Sequence, residues 1–421
     1  MNDSSRVAEL APDFSRPKRG DHDAVTAQHP ALEAALTRAG AVRVGSIDLL
    51  RGLVIILMVL DHMRDYVHAQ AFAFDPTDLT QTTPLLFATR WITHLCAPTF
   101  VFLSGVSIFL QQANGKDPRK LTRFLLTRGL WLIALELTVV AFGFDWTLPF
   151  VFLQVIWAIG AGMLLMAAAV RLPRGAVLAL GTLIVVGHPL LAGIDAADLG
   201  TWSLLWRLAM EPGPVDLVPG GLLLYPAIPW FGVMCLGYGL GFVFAPEPER
   251  RRRNLLVLGL GALAAFIVLR ATSGFGDPSP WQAQDGATAT ALAFLNVTKY
   301  PPSLLYVLAT LGIAMLLSLS IERLAMPVQR ILLTFGRTPL FTYMLHIYVV
   351  HSLALAMGVL AGLPAAHYIG FISNAQDHVG AGFALPAVYA AWLAALLLMY
   401  PVCAWFAEVK RRRRDWWLSY L

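Results

Sequence analysis

About ten apolar runs of roughly 18–25 residues, joined by short polar connections, leave this chain few folds to choose from. Their cores lie near 46–68, 84–111, 122–143, 149–170, 175–193, 226–244, 255–271, 303–320, 331–359 and 385–406. A helix of that length crosses the hydrocarbon core of a bilayer, and lipid tolerates only helices and closed barrels because every backbone polar group must be paired internally. Composition agrees. The chain is 57% hydrophobic and 14% charged, against about 45–50% and about 25% for soluble domains, and its mean hydropathy is +0.64. The expected fold is all-α, a polytopic membrane protein with about ten transmembrane helices. The ninth run is long and interrupted, which leaves room for a break or a tilt.

Basic residues orient such a bundle. Lys116, Arg119, Lys120 and Arg123 lie between runs two and three, Arg171 and Arg174 between four and five, and Arg250–Arg253 between six and seven. Arg323 and Arg330 lie between eight and nine, and Lys410–Arg414 follow run ten. The alternate connections carry acids such as Asp75, Asp145, Asp216 and Asp277. Every second connection is therefore basic, which puts both termini in the cytoplasm. The simplest use of Arg250–Arg253 and Lys410–Arg414 is orientation and lipid-headgroup contact. The net charge of +5 is concentrated in these short segments, so it does not argue for nucleic acid.

Residues 1–44 are polar and lack the basic-then-apolar pattern of a signal peptide. They read as a largely disordered cytoplasmic tail, with room for a short surface helix at 29–40. Residues 45–407 read as the membrane domain and 408–421 as a basic tail. Cys96, Cys235 and Cys403 fall in apolar stretches without metal-ligand spacing, and no metal is expected. The sequence has no Walker loop, no dinucleotide fingerprint, no H-E-x-x-H and no G-x-S-x-G elbow.

The first run is apolar enough for a membrane yet carries Asp48, Arg51, Asp61, His62, Arg64 and Asp65. Charge inside a membrane segment costs a few kcal/mol or more unless it faces protein or trapped water, so it marks a working site. Positions 48, 51, 55, 58, 62 and 65 follow the 3–4 spacing of one helix face. At 1.5 Å per residue, Arg51 and His62 stand about 16 Å apart along the axis. The orientation puts Asp48, Arg51 and Arg337 towards the cytoplasm. It puts Asp61, His62, Asp65, Arg90, His94, Glu136, His346 and His351 in the outer half. Lys299 falls at the outer interface.

An imidazole exchanges protons near neutral pH, which makes His62 the candidate general base, oriented by Asp61 or Asp65. The alternative is a structural His–Asp pair tying helices together. Arg90, His94, Glu136, His346, His351 and Lys299 are further candidate site residues. Asp48 with Arg51 is also the simple i,i+3 ion pair of a membrane surface, and Lys299 also fits a snorkelling lysine.

Several segments carry a family likeness: Ser46-Ile-Asp-Leu-Leu-Arg-Gly52, Leu60-Asp-His-Met-Arg-Asp65 and Thr89-Arg-Trp-Ile-Thr-His94 with Phe100-Val-Phe-Leu-Ser-Gly105. Tyr225-Pro-Ala-Ile-Pro-Trp-Phe-Gly232, Lys299-Tyr-Pro-Pro-Ser303 and Phe335-Gly-Arg-Thr-Pro-Leu-Phe-Thr-Tyr-Met-Leu-His346 join them. Together these make the chain resemble bacterial heparan-α-glucosaminide N-acetyltransferase-like membrane proteins over about residues 43–406, and the resemblance implies a bacterial cytoplasmic membrane as its compartment. It is also similar to the wider transmembrane acyltransferases. In the acyltransferase-3 enzymes the first helix carries Arg, ten residues, then His; Arg51 and His62 reproduce that spacing. In the namesake of the first family the essential histidine lies between the first two helices, where residues 69–83 here have none.

The resemblance implies an acyltransferase that takes acetyl-CoA from the cytoplasm and acylates a hydroxyl or amine of an extracytoplasmic sugar or glycolipid. Arg51, Asp48 and Arg337 would then serve the CoA, His94 and Arg90 would steady the developing oxyanion or the acceptor, and Glu136, His346, His351 and Lys299 would hold the acceptor. Membrane lipid is the surrounding partner, and a homodimer is compatible with the sequence. The competing expectation is a proton-coupled transporter or exporter that uses the same His/Asp cluster as a relay.

Overall fold

The computed structural model describes residues 30–421 except 216, 219, 245, 246, 414 and 421, with the side chains of 30–44, 416 and 419 also left aside. Residues 1–44 form a unit of their own. The expected disordered tail and surface helix fall there, and for residues 1–29 they lie outside the described residues. Gly45–Leu421 form the other unit, which carries the membrane helices.

Helices dominate. Helix α1 is Pro30–Val67. Helices α2 (Pro84–Thr93) and α3 (Cys96–Ala113) form one apolar span broken at His94-Leu95. Helix α4 (Pro118–Leu135) continues through a π-helical turn, Glu136–Val140, into α5 (Ala141–Asp145). Next come α6 (Val155–Ala169), α7 (Arg174–Gly187), the short α8 (Ser203–Met210), α9 (Ala227–Gly239) and α10 (Pro248–Thr272). Helices α11 (Ala287–Leu295), α12 (Leu304–Ile321), α13 (Met326–Gly336), α14 (Pro339–Leu360) and α15 (Leu385–Arg412) complete the chain.

Among the described residues, seven helices are long and apolar enough to cross a membrane. Helices α6 and α9 are apolar but shorter. These two and the charged α1 occupy the three remaining runs of the sequence. Residues 149–154, expected to open a helix, are instead non-helical. Phe152–Leu153 (β1) pairs in parallel with Leu222–Leu223 (β3), which pairs antiparallel with Gly213–Pro214 (β2). The interruption in the ninth run is a real break. Helix α13 stops at Gly336, and Pro339, which has no N–H to give, opens α14. At the C-terminus the charges do not end the helix: Arg411 and Arg412 both reach back to Glu408, and α15 runs through Arg412.

Caps set the helix starts. Thr83 accepts from Leu86 N at 3.2 Å ahead of Pro84, Asp117 accepts from Lys120 N at 2.9 Å ahead of Pro118, and Ser303 accepts from Tyr306 N at 3.0 Å. Two glycines fix how α1 and α13 cross. A Cβ on Gly52 would overlap the carbonyl of Leu332, and one on Gly336 would overlap the carbonyl of Asp48. Only with both glycines can the backbones meet. Arg51 and Arg337, each next to one of these glycines, are thereby brought to the same cavity.

The connections opposite the basic loops are long, and buried charges hold them. Asp145 accepts from Ile372 N at 2.9 Å, Ser373 N at 2.8 Å and Ser373 Oγ at 3.0 Å. Arg270 donates to the carbonyls of Phe294, Ser279, Ala293 and Asn296. Asp277 takes Thr298 N and Ser303 Oγ at 2.9 and 2.6 Å. The Asp145 set pins a roof over α1, and Arg270 with Asp277 pins the turn that carries Lys299.

Candidate active site

Two cavities lie end to end along α1. The loop-side cavity, about 330 Å³, is lined by Asp61, His62, Arg64 and Asp65 from α1, with Arg90, Lys299 and Tyr300 opposite. The basic-side cavity, about 290 Å³, is lined by Arg51, Arg128, Arg337 and Lys410 with Ser104, Ser107 and Gln111. Phe100, Val155 and Tyr343 line both, so the two abut at these side chains. The eleven-residue separation of Arg51 and His62 puts one residue in each.

In the loop-side cavity the charges of α1 and α2 are paired. Arg90 Nη1 stands 2.9 Å from both oxygens of Asp61, Thr93 Oγ1 donates to Asp61 at 2.8 Å, and Arg64 lies 3.1 Å away. Arg64 also binds Asp65 at 2.5 Å. His62 Nδ1 faces Asp65 at 3.9 Å. Its ring lies edge-on to Phe144 and 5.1 Å from the ring of His346. The buried His346 donates from Nδ1 to the carbonyl of Tyr343 one turn earlier on α14. That bond fixes its tautomer, since a carbonyl can only accept, and among the described residues its Nε2 has no partner.

A side chamber of about 260 Å³ adjoins this cavity, sharing Asp75, Arg90, Lys299 and Tyr300 with it. His94 lines the side chamber rather than the main one. The helix break at its own position turns it there. Its Nδ1 is buried without a partner among the described residues, while its carbonyl accepts from Tyr306 Oη at 2.9 Å. The Lys299 ammonium sits 4.9 Å from the Tyr300 ring centre.

The basic-side cavity gathers four cations from α1, α4, α15 and the α13–α14 break. Arg51 is held by Asp48 at 3.2 Å and by Ser107 Oγ at 2.5 Å. Such a cluster in a partly apolar hollow suits a polyanion. Sequence alone does not single out Arg128 or Lys410. Lys410 sits in a basic run whose simplest reading is headgroup contact, and Arg128 is one arginine in an otherwise apolar stretch of helix.

Besides His94, four expected site residues line neither cavity. Asp48 works on Arg51. His346 packs behind His62. Glu136, fully buried in the π-helical turn, accepts from Gln154 N at 2.6 Å and so stands behind a cavity-lining residue. His351 has both ring nitrogens on carbonyls, Gly143 at 3.0 Å and Tyr368 at 2.7 Å, and Trp146 stacks on it. It clamps α14 to α5 and to the roof. Among the described residues no three His, Cys, Asp or Glu side chains come together as metal ligands.

No curated protein matches the chain significantly. The family model for the catalytic region of heparan-alpha-glucosaminide N-acetyltransferase matches residues 43–272, from α1 through the end of α10. That stretch holds Arg51, His62, Arg90 and His94, while Lys299, Arg337, Tyr343 and His346 follow it. With more than half of its length matched, this multi-pass membrane protein belongs to the heparan-alpha-glucosaminide N-acetyltransferase catalytic family, a family of membrane acetyltransferases.

Proposed function

We propose that this protein moves an acetyl group from acetyl-CoA, held in the basic-side cavity, to a hydroxyl or amine of a sugar or glycolipid in the loop-side cavity. The observation that carries this reading is the abutment of the two cavities at Phe100, Val155 and Tyr343, with four cations on one side and a histidine on the other. Phosphates and ribose of CoA match Arg51, Arg128, Arg337 and Lys410. The acyl arm then extends along α1 towards His62. The excess of basic residues in the connections on that side supports a basic-side cavity open to the cytoplasm, where acyl-CoA is made.

His62 acts as general base on the acceptor, and the Asp65 carboxylate, 3.9 Å from Nδ1, attracts the imidazolium that forms. Asp61 serves Arg90 and Arg64, holding two guanidinium groups against the cavity wall. Lys299 and His94 line the side chamber, where further polar groups of the acceptor fit. In each transfer the acceptor loses one proton and the CoA thiolate gains one. A single imidazole that accepts and then returns it closes that balance.

Calorimetric titration of the detergent-purified protein with acetyl-CoA tests the donor side. Saturable binding that is lost in Arg51→Ala/Arg337→Ala supports the reading. No binding by wild type would sink it.

A further inference from the structure

We infer that Tyr343 is a catalytic residue whose hydroxyl hydrogen-bonds the thioester carbonyl oxygen and its oxyanion during transfer. This rests on the acetyl-CoA reading above and assigns the residue at its point of chemistry.

Three independent observations meet at this side chain. Tyr343 lines both cavities, so it stands where a donor from one side meets an acceptor from the other. Its hydroxyl is buried and, among the described residues, has no hydrogen-bond partner. A buried hydroxyl left unpaired is costly, and native structures seldom keep one without a use. The other two residues at the junction, Phe100 and Val155, have no side-chain polar atoms to offer it. Finally, the ring sits 5.1 Å from that of His346, which sits 5.1 Å from that of His62. The hydroxyl-bearing ring and the proposed base therefore belong to one packed row.

The step balances without any further reagent. As the acceptor oxygen or nitrogen bonds to the carbonyl carbon, its proton passes to His62. The carbonyl π pair moves onto oxygen, which the Tyr343 O–H stabilises while keeping its own proton. When the C=O re-forms, the C–S bond breaks and the thiolate takes the proton from His62. A donor aimed at the oxygen that gains charge is the type of group whose removal slows acyl transfer by roughly 10²–10³-fold.

The acceptor need not be known to test this. Acetyl-CoA and S-ethyl-CoA differ at the carbonyl, which the thioether lacks. Binding of both is measured calorimetrically to wild type and Tyr343→Phe in the same detergent. Wild type should favour acetyl-CoA by roughly tenfold, the size of one net hydrogen bond, and Tyr343→Phe should bind both alike. An equal preference in the two proteins overturns the assignment, as does failure of Tyr343→Phe to bind S-ethyl-CoA, which would make the hydroxyl structural. If wild type binds neither compound, the acetyl-CoA reading itself falls. Thermal unfolding of the variant, read beside the titrations, keeps loss of folding apart from loss of the hydrogen bond.

Discussion

Arg90 Nη1 lies 2.9 Å from both carboxylate oxygens of Asp61, joining α2 to α1 at the wall of the loop-side cavity. Arg64 and Thr93 bind the same carboxylate. Breaking a buried pair on one side strands the other charge and costs about 3–5 kcal/mol. Asp61→Ala should therefore lower the unfolding temperature sharply. The double variant Asp61→Ala/Arg90→Ala should lose less than the sum of the two singles. Additive losses in a double-mutant cycle would show the pair to be uncoupled.

The cation cluster makes a prediction of a different kind. Arg51, Arg337 and Lys410 reach one cavity from separate elements, so each →Ala change should weaken acetyl-CoA binding by about 10–100-fold, the value of one charge-assisted hydrogen bond. The weakening should shrink as ionic strength rises. Binding that ignores all three substitutions would remove the phosphates from this cavity.

Gly52 and Gly336 set the α1–α13 crossing, and the atoms a Cβ would strike there are backbone, which cannot rotate away. Gly52→Ala should cost at least the roughly 1–3 kcal/mol of an overpacked core. It should also weaken acetyl-CoA binding by separating Arg51 from Arg337. A Gly52→Ala protein with wild-type melting and wild-type affinity would contradict this.

Acidity should loosen the roof. His378, in the loop before α15, is buried with its Nδ1 3.0 Å from His367 Nε2. Burial, and then the neighbouring His367, hold its pKa below the usual 6.5. The unfolded chain titrates near 6.5, so below that value it binds more protons than the folded one. The stability is thus present above about pH 6.5 and is lost as pH falls through the folded pKa. Melting measured between about pH 7.5 and 5.5, a window spanning the unfolded value, should drop, and less so in His378→Phe. Identical pH slopes would place the effect elsewhere.

Much of the arrangement along α1 is legible in the sequence because a helix has fixed geometry. Spacing alone divides Arg51 from His62 by about half a bilayer, and they line different cavities. Rotation and breaks are not legible. Nothing local distinguishes Tyr343 from the other aromatics of α14, and its importance comes from where Phe100 and Val155 happen to pack. His94 faces a side chamber because the span kinks at His94-Leu95. His351 looks like a site residue in sequence, yet both its nitrogens face backbone carbonyls rather than either cavity. Helix periodicity shows which residues share a face but not which neighbour that face meets.

The central claim is that His62 takes the acceptor's proton while acetyl-CoA occupies the neighbouring cavity. Wild type and His62→Ala, purified in detergent, would be given radiolabelled acetyl-CoA and extracted glycans and glycolipids, and both bound and transferred label counted. The account predicts unchanged acetyl-CoA binding in His62→Ala with transfer reduced by roughly 10²–10⁴-fold, the usual contribution of a general base. Transfer by His62→Ala at the wild-type rate would contradict it.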